Sequence, residues 1–120
     1  PKPDFNGKRE SMHAFRQMSA AEKNEIIAKD PSYAKIVCRC EQITEGEIRK
    51  ALRTNPRPSD LDGVKRRTRA QMGRCQGGFC SPTVAELIAE ETGIPLEKVT
   101  KSGGEAHILS GRTKGEEQGR

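Results

Sequence analysis

The sequence is poor in the residues that usually fill a protein core. It has no Trp, one Tyr and three Phe, and only 32% of its 120 residues are apolar. The core is therefore small, and a fold with so little aromatic mass gains from a staple such as a bound metal. Long apolar runs are also missing. The longest, Ile26-Ile27-Ala28, Ile36-Val37-Cys38 and Leu87-Ile88-Ala89, span three residues each, against the roughly 20 a helix needs to cross a bilayer. A membrane-spanning helix is excluded. The opening Pro-Lys-Pro-Asp-Phe holds no apolar stretch that would centre a signal peptide, so a cytoplasmic location is expected. It also lacks an initiator Met, as expected of a chain processed or cut from a longer one. Histidine is scarce: neither His13 nor His107 has a metal-type spacing to a partner, and both are expected at the surface.

Charge is abundant but unevenly spread. The net charge is +5, from 22 Lys and Arg against 17 Asp and Glu. Residues 61–75 carry five basic side chains and one acidic, whereas residues 76–110 carry two and five. The run Lys65-Arg66-Arg67-Thr68-Arg69 reads as a solvated helix face beside an anionic centre, or as a patch for docking a partner. A nucleic-acid partner is not expected, because no aromatics interleave with the basic run for base stacking.

Local signals divide the chain into short helices. Residues 1–18 show neither a period of 2 nor of 3.6 and read as an extended arm or linker whose Phe5 and Phe15 are candidates for docking. Ser19 and Glu22 form a capping box that opens a helix to about Lys29, ended by Asp30-Pro31. Tyr33 to Cys40 reads as extended, with β-branched Ile36 and Val37. Thr44 and Glu47 form a second capping box, and Ile48, Ala51 and Leu52 make the inward stripe of a helix over 44–53. After the loop Asn55-Pro-Arg-Pro58, Ser59 or Asp60 caps a third helix over about 60–70, with Leu61 and Val64 inward. Ser81-Pro82 predicts an N-cap and first-turn proline for a helix over 82–91 that stops at Gly93. Pro95 to Val99 reads as one more turn, and residues 111–120 as a disordered tail.

The four cysteines carry the chemistry. Nothing signals secretion, so reduced thiols committed to metal or redox work are expected rather than disulfides. One residue separates Cys38 from Cys40, four separate Cys75 from Cys80, and 34 separate the pairs. Buried thiols acting as small hydrophobes would scatter along helical stripes instead. Two thiolates on an extended segment and two flanking a Gly-rich turn can converge as a four-sulfur site. A structural zinc site more often spaces its paired ligands by two residues or more, and a diiron cluster is wider than one ion; zinc stays open as the alternative. A four-thiolate diiron centre carries a formal charge of about −2 when oxidised. Arg39 and Arg74 adjoin ligands, and Cys80 precedes a helix N-terminus, an arrangement expected to lower thiolate pKa.

Two stretches then carry a resemblance. Cys38-Arg-Cys40-Glu-Gln-Ile-Thr-Glu-Gly-Glu-Ile and Asp62-Gly-Val-Lys-Arg-Arg-Thr-Arg-Ala-Gln-Met-Gly-Arg-Cys75-Gln-Gly-Gly-Phe-Cys80 resemble the [2Fe-2S]-binding domain related to bacterioferritin-associated ferredoxin. From about Phe15 to Arg112 the chain is similar to the C-terminal extension of bacterial FAD-dependent glycerol-3-phosphate dehydrogenases. The resemblance implies a mainly α, helix-turn-helix-like domain over 19–110. Four to five short helices would wrap one cluster held by Cys38, Cys40, Cys75 and Cys80. From the residues themselves, Arg39 and Arg74 are expected to stabilise the reduced charge, and Gly73, Gly77 and Gly78 to supply amides to the sulfurs. Lys65, Arg66, Arg67 and Arg69 would steer an acidic redox partner or pack on the flavin-containing domain. No Gly-x-Gly-x-x-Gly unit lies at a strand–helix junction, so FAD and substrate sites are expected in another part of a larger oxidoreductase, and no catalytic constellation is expected in this chain.

Overall fold

The computed structural model describes residues 2–12 and 14–114. His13 and the last part of the expected tail, residues 115–120, lie outside the described residues. Among the described residues, five helices and a two-stranded hairpin follow in chain order: α1 (Ala14–Gln17), α2 (Ala20–Lys29), β1 (Ile36–Cys38), β2 (Ile43–Thr44), α3 (Glu45–Arg53), α4 (Leu61–Thr68) and α5 (Ser81–Thr92). Single 3-10 turns at Pro31–Ala34 and Leu96–Lys98 join them.

The helix starts follow local chemistry. The Ser19 hydroxyl accepts from the Glu22 amide at 3.3 Å while the Glu22 carboxylate accepts from the Ser19 amide at 2.8 Å. Thr44 and Glu47 repeat this reciprocal cap at the head of α3, here buried. Asp60 caps α4 through the Gly63 amide at 2.6 Å. Each such cap satisfies amides that have no partner within the helix, typically for about 1 kcal/mol.

Three expectations are corrected. Residues 14–17 of the arm form a helical turn, and Phe15 packs on Tyr33 with ring centroids 5.1 Å apart. Tyr33 itself sits in a 3-10 turn rather than an extended stretch, because the Asp30 carboxylate caps the Ser32 amide and Pro31 fixes the first turn. The N-cap of α5 is Cys80, not Ser81. Ser81 instead starts the helix, its amide bonding back to the Gly77 carbonyl at 3.0 Å and its hydroxyl facing Gln71 Oε1 at 3.4 Å.

The core lies between α3, α4 and α5. Ile48, Val64, Val84 and Ile88 are wholly buried, and Ile43 of β2 closes one end. Cys38 and Cys80 belong to this same cluster, so the core anchors one end of the cysteine site. Outside it, α3 and α5 are clamped by ion pairs. Arg49 reaches Glu45 at 3.2 Å and both Glu90 and Glu91 at 2.8 Å, while Arg53 reaches Glu91 at 2.7 Å. Hydrogen bonds from Arg53, and then Arg49, hold the Glu91 carboxyl down to about 2.

That depression has a sign in stability. Ionised Glu91 stabilises the fold fully above its ordinary value of 4.5, and the contribution is lost as pH falls from there through about 2. Glu91→Gln is expected to cost about 1 kcal/mol at neutral pH in urea unfolding, and its deficit against the parent protein should shrink as the pH drops below 4.5. A deficit independent of pH would show that the clamp contributes through packing instead.

Candidate metal centre

The hairpin presents the first two cysteines. β1 and β2 pair antiparallel with Cys38 opposite Ile43, and the register shifts between Ile36 and Cys38. This leaves Arg39, Cys40, Glu41 and Gln42 as the turn, so Cys38 ends a strand with its side chain in the core and Cys40 projects outward at the tip. The other two cysteines flank the loop between α4 and α5. That loop folds back through a chain of tight turns, Gln76 N–H to Gly73 carbonyl at 3.1 Å and Gly78 N–H to Cys75 carbonyl at 2.9 Å.

Left-handed backbone makes these turns possible, and glutamine supplies most of it. Gln42, Gln71 and Gln76 have φ of 57°, 77° and 48°, values that side chains other than glycine adopt at a cost. Each offsets that cost by a side-chain amide bond: Gln42 Nε2 to Arg39 carbonyl at 3.0 Å, Gln71 to Leu61 carbonyl at 3.3 Å, and Gln76 to Gly73 carbonyl at 3.0 Å. Gly77, at φ +84°, has no room for a side chain, since a Cβ there would stand 2.5 Å from Ser81 Oγ.

The fold brings the four sulfurs in as two pairs. Cys40 Sγ and Cys75 Sγ are 3.5 Å apart near the surface, while Cys38 and Cys80 are both buried in the interior, where each feels the other's charge. Two thiolates on one tetrahedral ion, each about 2.3 Å from it, stand ~3.8 Å apart, so the outer pair has the spacing to share an ion. Among the described residues, no group of three or more His, Cys, Asp or Glu side chains closes on a single ion. All four cysteines line one cavity. His107 takes no part; its ring meets Glu105 at 3.4 Å.

Electrostatics differ between the pairs. The amide of Phe79, then the Cys40 side chain and the amides of Gly77 and Gly78, hold the Cys75 thiol below its ordinary value. Burial, with Cys38 beside it, pushes the Cys80 thiol up to about 12. The expectation of a lowered pKa at Cys80 is thus corrected: desolvation outweighs the helix amides when no cation is bound. A bound metal reverses that balance by supplying the opposite charge.

The expected supporting residues divide. The amides of Gly77 and Gly78 help lower the Cys75 thiol, although the Gly78 N–H itself bonds the Cys75 carbonyl. Gly73 acts by having no side chain: a Cβ there would overlap Cys40 Cβ and lie 3.2 Å from its Sγ. Arg39 lines an open cavity of about 620 Å³ together with the four cysteines, and Arg74 is exposed. The basic run is engaged locally: Lys65 with Asp62 at 3.3 Å, Arg67 with the Pro56 carbonyl at 2.7 Å, and Arg69 with Glu41 at 3.0 Å. The last contact ties the loop after α4 to the hairpin turn beside Cys40. Arg66 is exposed. Sequence reasoning missed the structural work of Gln71 and the exposure of Phe79; neither residue belongs to a periodic pattern that marks its environment.

Comparison with known proteins meets this geometry. Residues 36–90, which span both cysteine pairs, match the family described as the BFD-like [2Fe-2S] binding domain. This stretch, a little under half of the chain, is thus similar in sequence to that [2Fe-2S]-binding domain. Over 117 residues the chain is 49% identical to a glycerol 3-phosphate dehydrogenase of Caloramator mitchellensis, covering 98% of this chain and 24% of the relative. It is 43% identical over 58 residues to the HcnB component of the hydrogen cyanide synthase of Pseudomonas aeruginosa, 48% of this chain and 12% of that one. With a component of the opine oxidase of Rhizobium meliloti it shares 46% over 56 residues, 47% of this chain and 10% of the relative. The chain thus spans a quarter or less of these relatives. No solved structure matches it. The fit of a [2Fe-2S] cluster rests on the donor set: four free cysteines in two pairs, amides directed at one sulfur, and a glycine that lets Cys40 approach. Among the described residues no helix is long and apolar enough to cross a membrane.

Gly73→Ala should push Cys40 away from Cys75 and reduce iron and sulfide per chain to less than half. Gly93→Ala has an equally left-handed backbone, φ +74°, but open space around it. It should cost about 1 kcal/mol without loss of iron. Equal iron content in both variants would remove Gly73 from the site.

Proposed function

We propose that this chain is the electron-relay module of a flavin-dependent dehydrogenase, with Cys38, Cys40, Cys75 and Cys80 as the ligands of its [2Fe-2S] cluster. The observation that carries the reading is the pairing of the sulfurs, one pair open to solvent and one set in the core. When bound, the cluster supplies one-electron redox chemistry, which a flavin taking two electrons from a substrate requires of its acceptor.

The chain's own residues hold, orient and tune. Cys38 and Cys80 are fixed by the packing of α3, α4 and α5, so half of the ligand set is rigid before any metal arrives. The amides of Phe79, Gly77 and Gly78 stabilise negative charge on Cys75. Arg39 and Arg74, adjoining ligands, offset the charge added on reduction. The flavin and the substrate belong to a part of the parent protein beyond this sequence.

The extended identity with a glycerol 3-phosphate dehydrogenase, along 98% of this chain, supports oxidation of glycerol 3-phosphate as the parent reaction. The shorter matches to components of a hydrogen cyanide synthase and of an opine oxidase, each over about half of this chain, support a relay that serves different substrates chosen elsewhere.

Electron paramagnetic resonance of anaerobically purified protein, before and after dithionite, tests the reading. A spin-half signal should appear on one-electron reduction and be lost or altered in Cys40→Ser; zinc alone after attempted cluster reconstitution would overturn it. In a redox titration Arg74→Glu should lower the reduction potential, because it places negative charge beside a centre that gains an electron. An unchanged potential would remove Arg74 from that role.

A further inference from the structure

The mouth of the cysteine site has features that cluster binding does not require. Phe79 is 87% exposed, the most exposed of the large apolar residues. It stands between Gly78 and the ligand Cys80 and lines the same cavity as the sulfurs. Ile36, 47% exposed, lines that cavity from the opposite segment, at the start of β1. Holding a metal needs neither residue uncovered, and Cys40, the exposed sulfur, lies on this side.

The charges around the mouth have one sign. Lys35 and Arg39 line it, and among the described residues no carboxylate does. The Lys35 ammonium is 3.8 Å from Glu45, whose carboxylate is held more closely by Arg49 at 3.2 Å, so Lys35 remains available to a partner. The basic run of α4 offers less, since Lys65, Arg67 and Arg69 are each engaged by groups of this same domain. Phe5, Ile108 and Leu109 are also exposed, but none of them lines the sulfur cavity.

We propose that this mouth, with Phe79 at its centre and Lys35 and Arg39 at its lip, is the surface across which the domain exchanges electrons with a flavoprotein presenting an apolar contact edged by carboxylates. The proposal rests on the electron-relay reading and adds the place and chemistry of docking. Its logic is that of a small transient interface. An aromatic anchor supplies contact area at the centre, rim cations steer an acidic partner and set the on-rate, and the exposed sulfur edge brings the two redox groups closest. A second copy of this chain fits worse, because the two lips would bring like charges together.

The test uses the loaded full chain and, as probe, a flavodoxin selected for carboxylates around its FMN. Affinity is read by calorimetry at low and at physiological ionic strength, and electron transfer from the reduced probe by stopped flow. Binding should weaken with salt. Phe79→Ala should raise the Kd by about tenfold, and Lys35→Glu should raise it similarly while removing most of the salt dependence. Both variants should keep their iron, their resonance signal and their rate of reduction by dithionite, which needs no docked protein. Unchanged affinity and transfer in both variants would overturn the proposal. So would a loss confined to Arg66→Glu, which would place docking on α4, or a dimer of the chain that Phe79→Ala dissociates. Failure of the relay reading itself shows separately, as a chain that holds no iron and sulfide in any variant.

Discussion

The contact on which the rest of this structure depends is the approach of Cys40 to Cys75, made possible by the bare backbone of Gly73. It joins segments 35 residues apart in sequence, the tip of the hairpin and the loop between α4 and α5, neither of which has regular structure at that point. On its inner side the approach is backed by Cys38 and Cys80, which count among the buried core residues alongside Ile48, Val64 and Val84. The site and the core therefore share atoms. Ordering of the loops is linked to packing of the helices, and metal binding adds directly to the folding free energy of a chain with few large apolar side chains.

The two sulfur pairs have different surroundings, and that difference organises the chemistry. Cys38 and Cys80 lie in the interior, where an uncompensated thiolate is expensive. Cys40 and Cys75 meet solvent, and amides of the Gly-rich loop face Cys75. A centre built this way is anchored from within and open from without. The ion pairs of Arg49 and Arg53 with Glu90 and Glu91 stand between α3 and α5 and keep the two helices that carry most of the core in register.

Much of this was legible in the sequence because it is written locally. The capping boxes at Ser19 and Thr44 need only residues three apart, and the stripe of Ile48, Ala51 and Leu52 needs only helical periodicity. The cysteine spacing, combined with glycines at 73, 77 and 78, was enough to locate the candidate centre, and the longer motif to suggest its cofactor. What escaped depends on tertiary neighbours. The turn at residues 14–17 forms where Phe15 finds Tyr33. Cys80 rather than Ser81 caps α5 because Ser81 joins the helix and turns its hydroxyl toward Gln71. The thiol of Cys80 rises because it is buried, which no helix-end rule anticipates. Glutamine at left-handed positions was equally hidden, since its side-chain bonds to carbonyls become visible only once the loop is folded.

The central claim is that two pairs of cysteine sulfurs hold two irons in one cluster. Iron-edge X-ray absorption of the anaerobically purified, unreduced protein tests it most directly, because it reports the neighbours of each iron without relying on activity. The account predicts iron surrounded by sulfur alone, with a second iron at the short distance of a sulfide-bridged pair. Nitrogen or oxygen ligands in the first shell, or iron with no iron neighbour, would contradict it.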